Sequence, residues 1–310
     1  MNYKKYFTTL FLIIALIFMG ISFPAFAKPQ APSQKIHVVT SSEDLESITK
    51  AIAGDKADVT SIGKGYQNPH FVPPKPSFML KLKDANLLVE IGMELEVWLN
   101  PLVEGSRNSR IYKNAPGFVD ASYGVPVLGS PASKIDRSLG DVHPFGNPHY
   151  WLDPVNAKYI SANITEGLIR VDPDNAAYYE AHHQIFLKQL AHEITGWINR
   201  AKPLRGVHVI TYHESWTYFA NRFGLDVVGT IEPKPGIPPT PKHTQWLIET
   251  AQKQHVKFIM VEPYYNHAVA DQVAKASGAK VVIVPPSVGG ASGADNYFTL
   301  FDTILNLLLQ

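Results

Sequence analysis

The chain has 310 residues, and its 28 Lys and Arg against 27 Asp and Glu give a formal net charge of +1. A nucleic-acid binder usually carries a clear basic excess, so this balance argues against one. Charged residues make up 18% and apolar residues 45%, which fits a globular chain rather than a disordered one. With no cysteine, the sequence excludes disulfide scaffolds, thiolate-held iron–sulfur clusters, Cys-ligated zinc and thiol nucleophiles. Any metal would have to be held by carboxylates and by the 12 histidines.

The first residues are read as a leader rather than as part of the fold. Lys4 and Lys5 precede an apolar run over residues 7–21, and Ala25-Phe26-Ala27 fits the small-x-small cleavage rule. Residues 1–27 are therefore expected to be a secretory signal peptide, cleaved near Ala27. No Cys follows to carry a lipid anchor, so a soluble, exported, periplasmic protein is expected.

Next come short apolar strands alternating with helices. A strand at 36–40 is followed by a helix over 43–53 with Ser41 or Ser42 as its cap. A strand at 59–62 leads into a Gly/Pro-rich loop at 63–76, a helix at 77–84, a strand at 87–91 and a helix at 94–104. Residues 105–148 read as loop with short strands near 117–121 and 125–128. The middle is helical, first at 156–169 and then over a long stretch without proline from 175 to about 201. At 1.5 Å per residue that second helix is roughly 40 Å long, enough to span two lobes. The alternation then resumes with strands at 207–212, 226–231, 258–261 and 280–284. Helices are expected at 216–223, from the Thr240 cap to about 254, at 268–277 and at 295–309. Such alternation implies parallel sheets covered on both faces. The expected fold is α/β: two lobes, each with a mostly parallel sheet flanked by helices, joined by one long rigid helix. The boundaries are 28–173 for the N-terminal lobe, 174–205 for the linking helix and 206–310 for the C-terminal lobe.

Three histidines stand out by position. His70 lies in Gln67-Asn68-Pro69-His70-Phe71-Val72-Pro73, in the long loop after a strand. His149 lies in Gly146-Asn147-Pro148-His149-Tyr150-Trp151-Leu152-Asp153-Pro154, ahead of a helix. His213 lies in Tyr212-His213-Glu214-Ser215-Trp216, at a strand end, where open α/β sheets bind their ligands. Two of the three follow Asn-Pro, and proline restricts the backbone just ahead of the imidazole. Any one alone reads as an ordinary loop histidine, and the wide spacing is unlike a zinc finger or a helical His-x-x-x-His pair.

In this order, the three segments resemble the solute-binding proteins of zinc and manganese ABC transporters, the zinc-uptake and TroA-like family. The resemblance covers essentially the whole chain after the leader, including the long helix and Glu232-Pro233-Lys234-Pro235-Gly236. It implies one metal in the cleft between the lobes, with His70, His149 and His213 as ligands. The family often places an Asp after the last strand, but here that strand runs into Pro285-Pro286-Ser287-Val288-Gly289-Gly290. Glu262, closing the strand at 258–261, is the expected fourth ligand, with water or Glu214 as alternatives. The long His/Asp-rich loop of many zinc-uptake members is reduced to Asp141-Val142-His143, leaving His143 as an auxiliary capture ligand or a plain loop histidine.

Three neutral imidazoles with a carboxylate or water suit four-coordinate Zn2+, whereas Mn2+ prefers more oxygen ligands. Within the family a Glu at the third position goes with manganese, and His213 occupies it here, so zinc is expected over manganese. The implied partners are an inner-membrane ABC permease with a separate ATPase. A monomer is expected, with no nucleic acid and no stable membrane insertion. The alternatives are a secreted zinc-dependent hydrolase, with Glu262 or Glu214 as base, and a transporter-independent zinc buffer. His182, His183 and His192 on the long helix are expected on a solvated face, and Gly196 stands where a metalloprotease motif opened by His192-Glu193 needs its second His.

Overall fold

The computed structural model describes residues 35–130 and 143–310. The expected leader and Asp141 lie outside the described residues. The first half builds a sheet from β1 (Ile36–Thr40), β2 (Ala57–Ser61), β3 (Leu87–Glu90) and β4 (Phe118–Asp120). Its order is β2-β1-β3-β4 and every pairing is parallel. Helices α1 (Glu43–Ala53), α2 (Pro76–Lys83) and α3 (Asn100–Ser106) belong to this half. Ser42 caps α1, its hydroxyl accepting from the Leu45 amide at 3.3 Å.

Helices α4 (Ala157–Val171) and α5 (Ala176–Arg200) follow. The second half repeats the plan with β5 (His208–Thr211), β6 (Asp226–Thr230), β7 (Phe258–Val261) and β8 (Lys280–Ile283). The order β6-β5-β7-β8, again all parallel, is the order of the first sheet. Helices α6 (Thr217–Phe223), α7 (Pro241–Lys253), α8 (Ala268–Ser277) and α9 (Tyr297–Leu309) accompany it. In both sheets the chain goes from the central strand to one neighbour and then crosses to the other side, the switch point outside whose strand ends such folds bind ligands.

The expected two-lobed architecture is present, and the lobes share a core. One apolar cluster runs from Ile36 and Leu45 in the first half, through Trp151 and Trp197, to Phe258, Phe301 and Leu308 in the second. A smaller cluster around Val39 and Leu88 covers the other face of the first sheet, and one around Ile210 and Ile259 does so for the second. Helix α5 is central to the shared core. It packs on α1 and α4 from the first half and on α9 from the second. Trp197 sits 4.8 Å from the Phe301 ring and its indole N–H donates to Asp302 at 3.0 Å. The helix has 25 residues, so it is about 37 Å long.

Two expected elements differ. Residues 125–128 form no strand: Pro126 has no N–H to give a ladder, and the Leu128 amide donates to the Tyr218 hydroxyl at 3.0 Å instead. The helix expected from Glu94 begins later, at α3 after a short turn over Val97–Leu99. Gly92, Met93 and Glu94 are all left-handed, with φ of 82°, 55° and 62°. The Glu96 carboxylate explains this, because it turns back to accept from the Ile91 amide at 2.7 Å and the Gly92 amide at 3.1 Å. The solvated face expected for the α5 histidines holds for His192; His182 and His183 are half-buried, His183 against the Ser161 hydroxyl at 3.0 Å.

Candidate metal centre

The loops leaving two strand ends, together with the segment ahead of α4, converge on one point. His70 arrives on the loop after β2, His213 directly after β5, and His149 just before the turn Tyr150–Leu152. One nitrogen from each of these rings lies within 4.8 Å of the others. The ring centroids are 5.1 Å apart for His70 and His149, 5.1 Å for His70 and His213, and 5.3 Å for His149 and His213. Residues separated by 79 and 64 positions in the chain thus share one site.

Each ring is held by local structure that its sequence explains. In both Asn-Pro-His segments the Asn side chain accepts from the histidine amide, at 3.0 Å for Asn68 and His70 and 2.9 Å for Asn147 and His149. Asn147 also accepts from His149 Nδ1 at 3.0 Å, which leaves Nε2 as the nitrogen with the lone pair. The His149 segment is clamped by the second half. Asn147 donates to the Glu214 carbonyl at 2.8 Å, Trp151 to the Pro286 carbonyl at 2.9 Å, and Arg222 forms two 2.7 Å bonds with Asp153. The Trp98 indole steadies the first segment, donating to the Pro69 carbonyl at 2.8 Å.

His213 is fixed by a carboxylate that sequence reasoning missed. Its Nδ1 lies 2.7 Å from Glu232 Oε2, and both side chains are nearly fully buried. A carboxylate on Nδ1 sets the tautomer and raises the basicity of Nε2, the arrangement that commonly stands behind metal-ligating histidines. Glu232 follows the end of β6, so the strand-end rule that singled out Glu262 would have found it as well.

The electrostatics differ among the rings. Burial, reinforced by the neighbouring imidazoles, pushes His70 and His149 well below the ordinary histidine value, so both stay neutral. Burial also disfavours the His213 cation, but the carboxylates of Glu232, Glu262 and Glu214 outweigh it and raise this pKa. The site therefore holds two neutral rings and one that retains a proton more readily. His70 Nε2 and His149 Nε2 lie 3.1 Å apart, a spacing at which two bare lone pairs would repel, so a proton or a cation between them is needed.

Glu262, the expected fourth ligand, is fully buried, and neither carboxylate oxygen has a hydrogen-bond partner among the described residues. It stands outside the group whose donor atoms meet within 4.8 Å. Burial pushes its carboxyl up to about 7, with the His213 charge opposing. Glu214 gives its backbone carbonyl to Asn147 and lines the cavity of about 30 Å³ beside the rings, along with His143, His149 and His213. His143 lies against the cluster, its ring 5.1 Å from that of His70. Burial, with the His213 charge, lowers its pKa to about 4, so it too is neutral.

Two parallel-sheet lobes with a shared core and a point where three imidazoles converge make the arrangement of a receptor for a small metal ion. The sequence matches the family described as zinc-uptake complex component A, periplasmic (ZnuA), over residues 38–310, and the chain belongs to that family. It is 30% identical over 253 residues to the high-affinity zinc uptake system protein ZnuA of Bacillus subtilis (strain 168), covering 81% of this chain and 78% of that one. It is 28% identical over 312 residues to the manganese ABC transporter substrate-binding lipoprotein PsaA of Streptococcus pneumoniae, covering 96% and 95%. The crystal structure of a ZnuA deletion mutant with zinc bound superimposes with a TM-score of 0.73 at 25% identity, covering 88% of this chain and 98% of that one. The chain is thus a metal-binding substrate-binding protein of ABC transporters, and its relatives carry both zinc and manganese names. Among the described residues, no helix is long and apolar enough to cross a membrane.

Proposed function

We propose that this protein captures zinc in the cleft between its lobes and delivers it to an inner-membrane permease driven by a separate ATPase. The ion is held by Nε2 of His70, His149 and His213. The observation that carries this reading is the meeting of the three rings within 4.8 Å. Their chemistry favours zinc over manganese, because neutral imidazoles suit a four-coordinate borderline ion and supply none of the oxygen ligands that manganese prefers. Glu262 acts from behind His213 as buried negative charge against the dication. The leader at 1–27 routes the chain to the periplasm, where it is released after cleavage.

The test is competition of the metal-free protein against a chromophoric chelator. The expected result is one zinc per chain, bound at least about 100-fold more tightly than manganese, a gap of roughly 2.7 kcal/mol. Equal affinity for the two ions would overturn the zinc assignment, and no binding of either would overturn the site.

A further inference from the structure

We propose that His143 is the fourth ligand of the cargo ion, so that four imidazoles rather than three imidazoles and an oxygen surround it. This inference rests on the three-histidine site proposed above and completes its coordination.

The argument starts from what His143 touches. Its ring lies 5.1 Å from that of His70, the same spacing that His70 keeps from His149 and from His213. Its Nε2 is buried and has no hydrogen-bond partner among the described residues. The ring is nevertheless held, by the backbone of Met93 and Glu94. Because Nε2 is unpartnered, those bonds fall to Nδ1, which carries the proton, and the buried Nε2 lone pair is left unused. An imidazole whose Nδ1–H is committed to main-chain carbonyls while Nε2 stays open is the pattern of a ligand with its orientation set.

The ledge that holds it is itself unusual. Met93 and Glu94 are consecutive non-glycine residues in the left-handed region, at φ of 55° and 62°. Non-glycine residues adopt this conformation at an energetic cost. The turn persists because Glu96 ties the Ile91 and Gly92 amides together and receives the Ser41 hydroxyl at 2.5 Å. Strain maintained by buried hydrogen bonds, with carbonyls spent on one histidine, marks a placed side chain. A solvated loop histidine would need none of this.

The competing donor is Glu262. Its oxygens are also unpartnered and, like His143, it lies outside the group of meeting donor atoms, but unlike His143 it does not line the small cavity beside His149 and His213. His143 lines that cavity together with both of these rings. Its present place is just beyond the three-ring group, so it closes on the ion by a rotation of its ring or a small shift of the turn that ends at Gly146.

Zinc K-edge X-ray absorption of the full protein loaded with one zinc tests this directly. The expected spectrum shows four imidazoles by their multiple-scattering signature and no oxygen neighbour, and His143→Ala is expected to change it to three imidazoles with one oxygen. In chelator competition, His143→Ala should lose about 10- to 100-fold in zinc affinity. Three imidazoles and one oxygen in the unmodified protein would overturn the proposal, whether or not the alanine variant folds. Failure of the parent reading looks different, because the unmodified protein would then take up no stoichiometric zinc.

Discussion

The two halves share one strand order, yet they bring opposite electrostatics to the cleft. The first half and the segment ahead of α4 supply His70, His143 and His149, all kept neutral by burial. The second half supplies His213 with Glu232, Glu262 and Glu214 around it, and that ring alone has a raised pKa. Equal topology therefore positions side chains without dictating their charge. One wall offers lone pairs that are ready at neutral pH, and the other offers negative charge that a dication needs but that a proton also exploits.

The largest expected effect removes a ring from either wall. His149→Ala and His213→Ala should each weaken zinc binding by at least about 100-fold in chelator competition. If only one of the two mattered, the cleft would not be shared between the halves. Next, Glu232→Gln keeps the shape of the second wall but not its charge, and should cost about 10-fold at pH 7.5. An unchanged affinity would mean that the 2.7 Å contact does not tune His213.

The walls should also separate by pH. Because His213 has a raised folded-state pKa and the other rings have lowered ones, zinc affinity should fall as pH drops through the His213 range, with a slope of about one proton per ion. Glu232→Gln should move this fall to lower pH. A slope of three protons near pH 6.5 would show that all three rings titrate alike and would erase the contrast.

A smaller effect concerns Asp44, at the junction of the halves, whose Oδ1 accepts from the Val288 amide at 2.9 Å. Burial raises its carboxyl from 3.8 to about 7. The folded protein then holds a proton that the unfolded chain has released, so the stabilising effect is present at low pH and is lost as pH rises to about 7. His70 and His149 act in the other direction, but only below about 6.5, where the unfolded histidines gain protons. Metal-free protein should therefore melt lower at pH 8 than at pH 6.5, and Asp44→Asn should flatten that fall by about 2–4 °C. An identical pH profile for the variant would show that Asp44 ionises freely. His183→Ala, far from both walls in role, should leave zinc affinity within about twofold, since its ring bonds only to Ser161 among the described residues.

Much of this was legible in the sequence. The strand–helix rhythm gave both sheets, because parallel strands covered on both faces must be short apolar runs. The long prolineless stretch gave α5. The Asn-Pro-His segments were readable because each encodes its own local cage, with the Asn side chain closing on the histidine amide two residues later. What stayed hidden depends on contacts distant in the chain. The Glu232 carboxylate meets His213 across 19 residues and two strands. The turn at Gly92 was read as the start of a helix because Glu94 and Leu95 suit one, and only the backward reach of Glu96 to two amides overrides that preference. The sequence leaves His143 open between an auxiliary capture ligand and a plain loop histidine, because its surroundings at Met93 and Glu94 are a backbone conformation, which a sequence pattern does not display.

Helix α5, with apolar partners from both halves along its length, has a thermodynamic corollary. A receptor that must swing shut loses part of its intrinsic affinity to the rarity of its closed form. Here the halves are fused through a common interior, so very little of the affinity is forfeited in that way. At the cleft itself the halves also meet through a loop contact, where the Asn68 side chain donates to the Tyr265 hydroxyl at 3.3 Å.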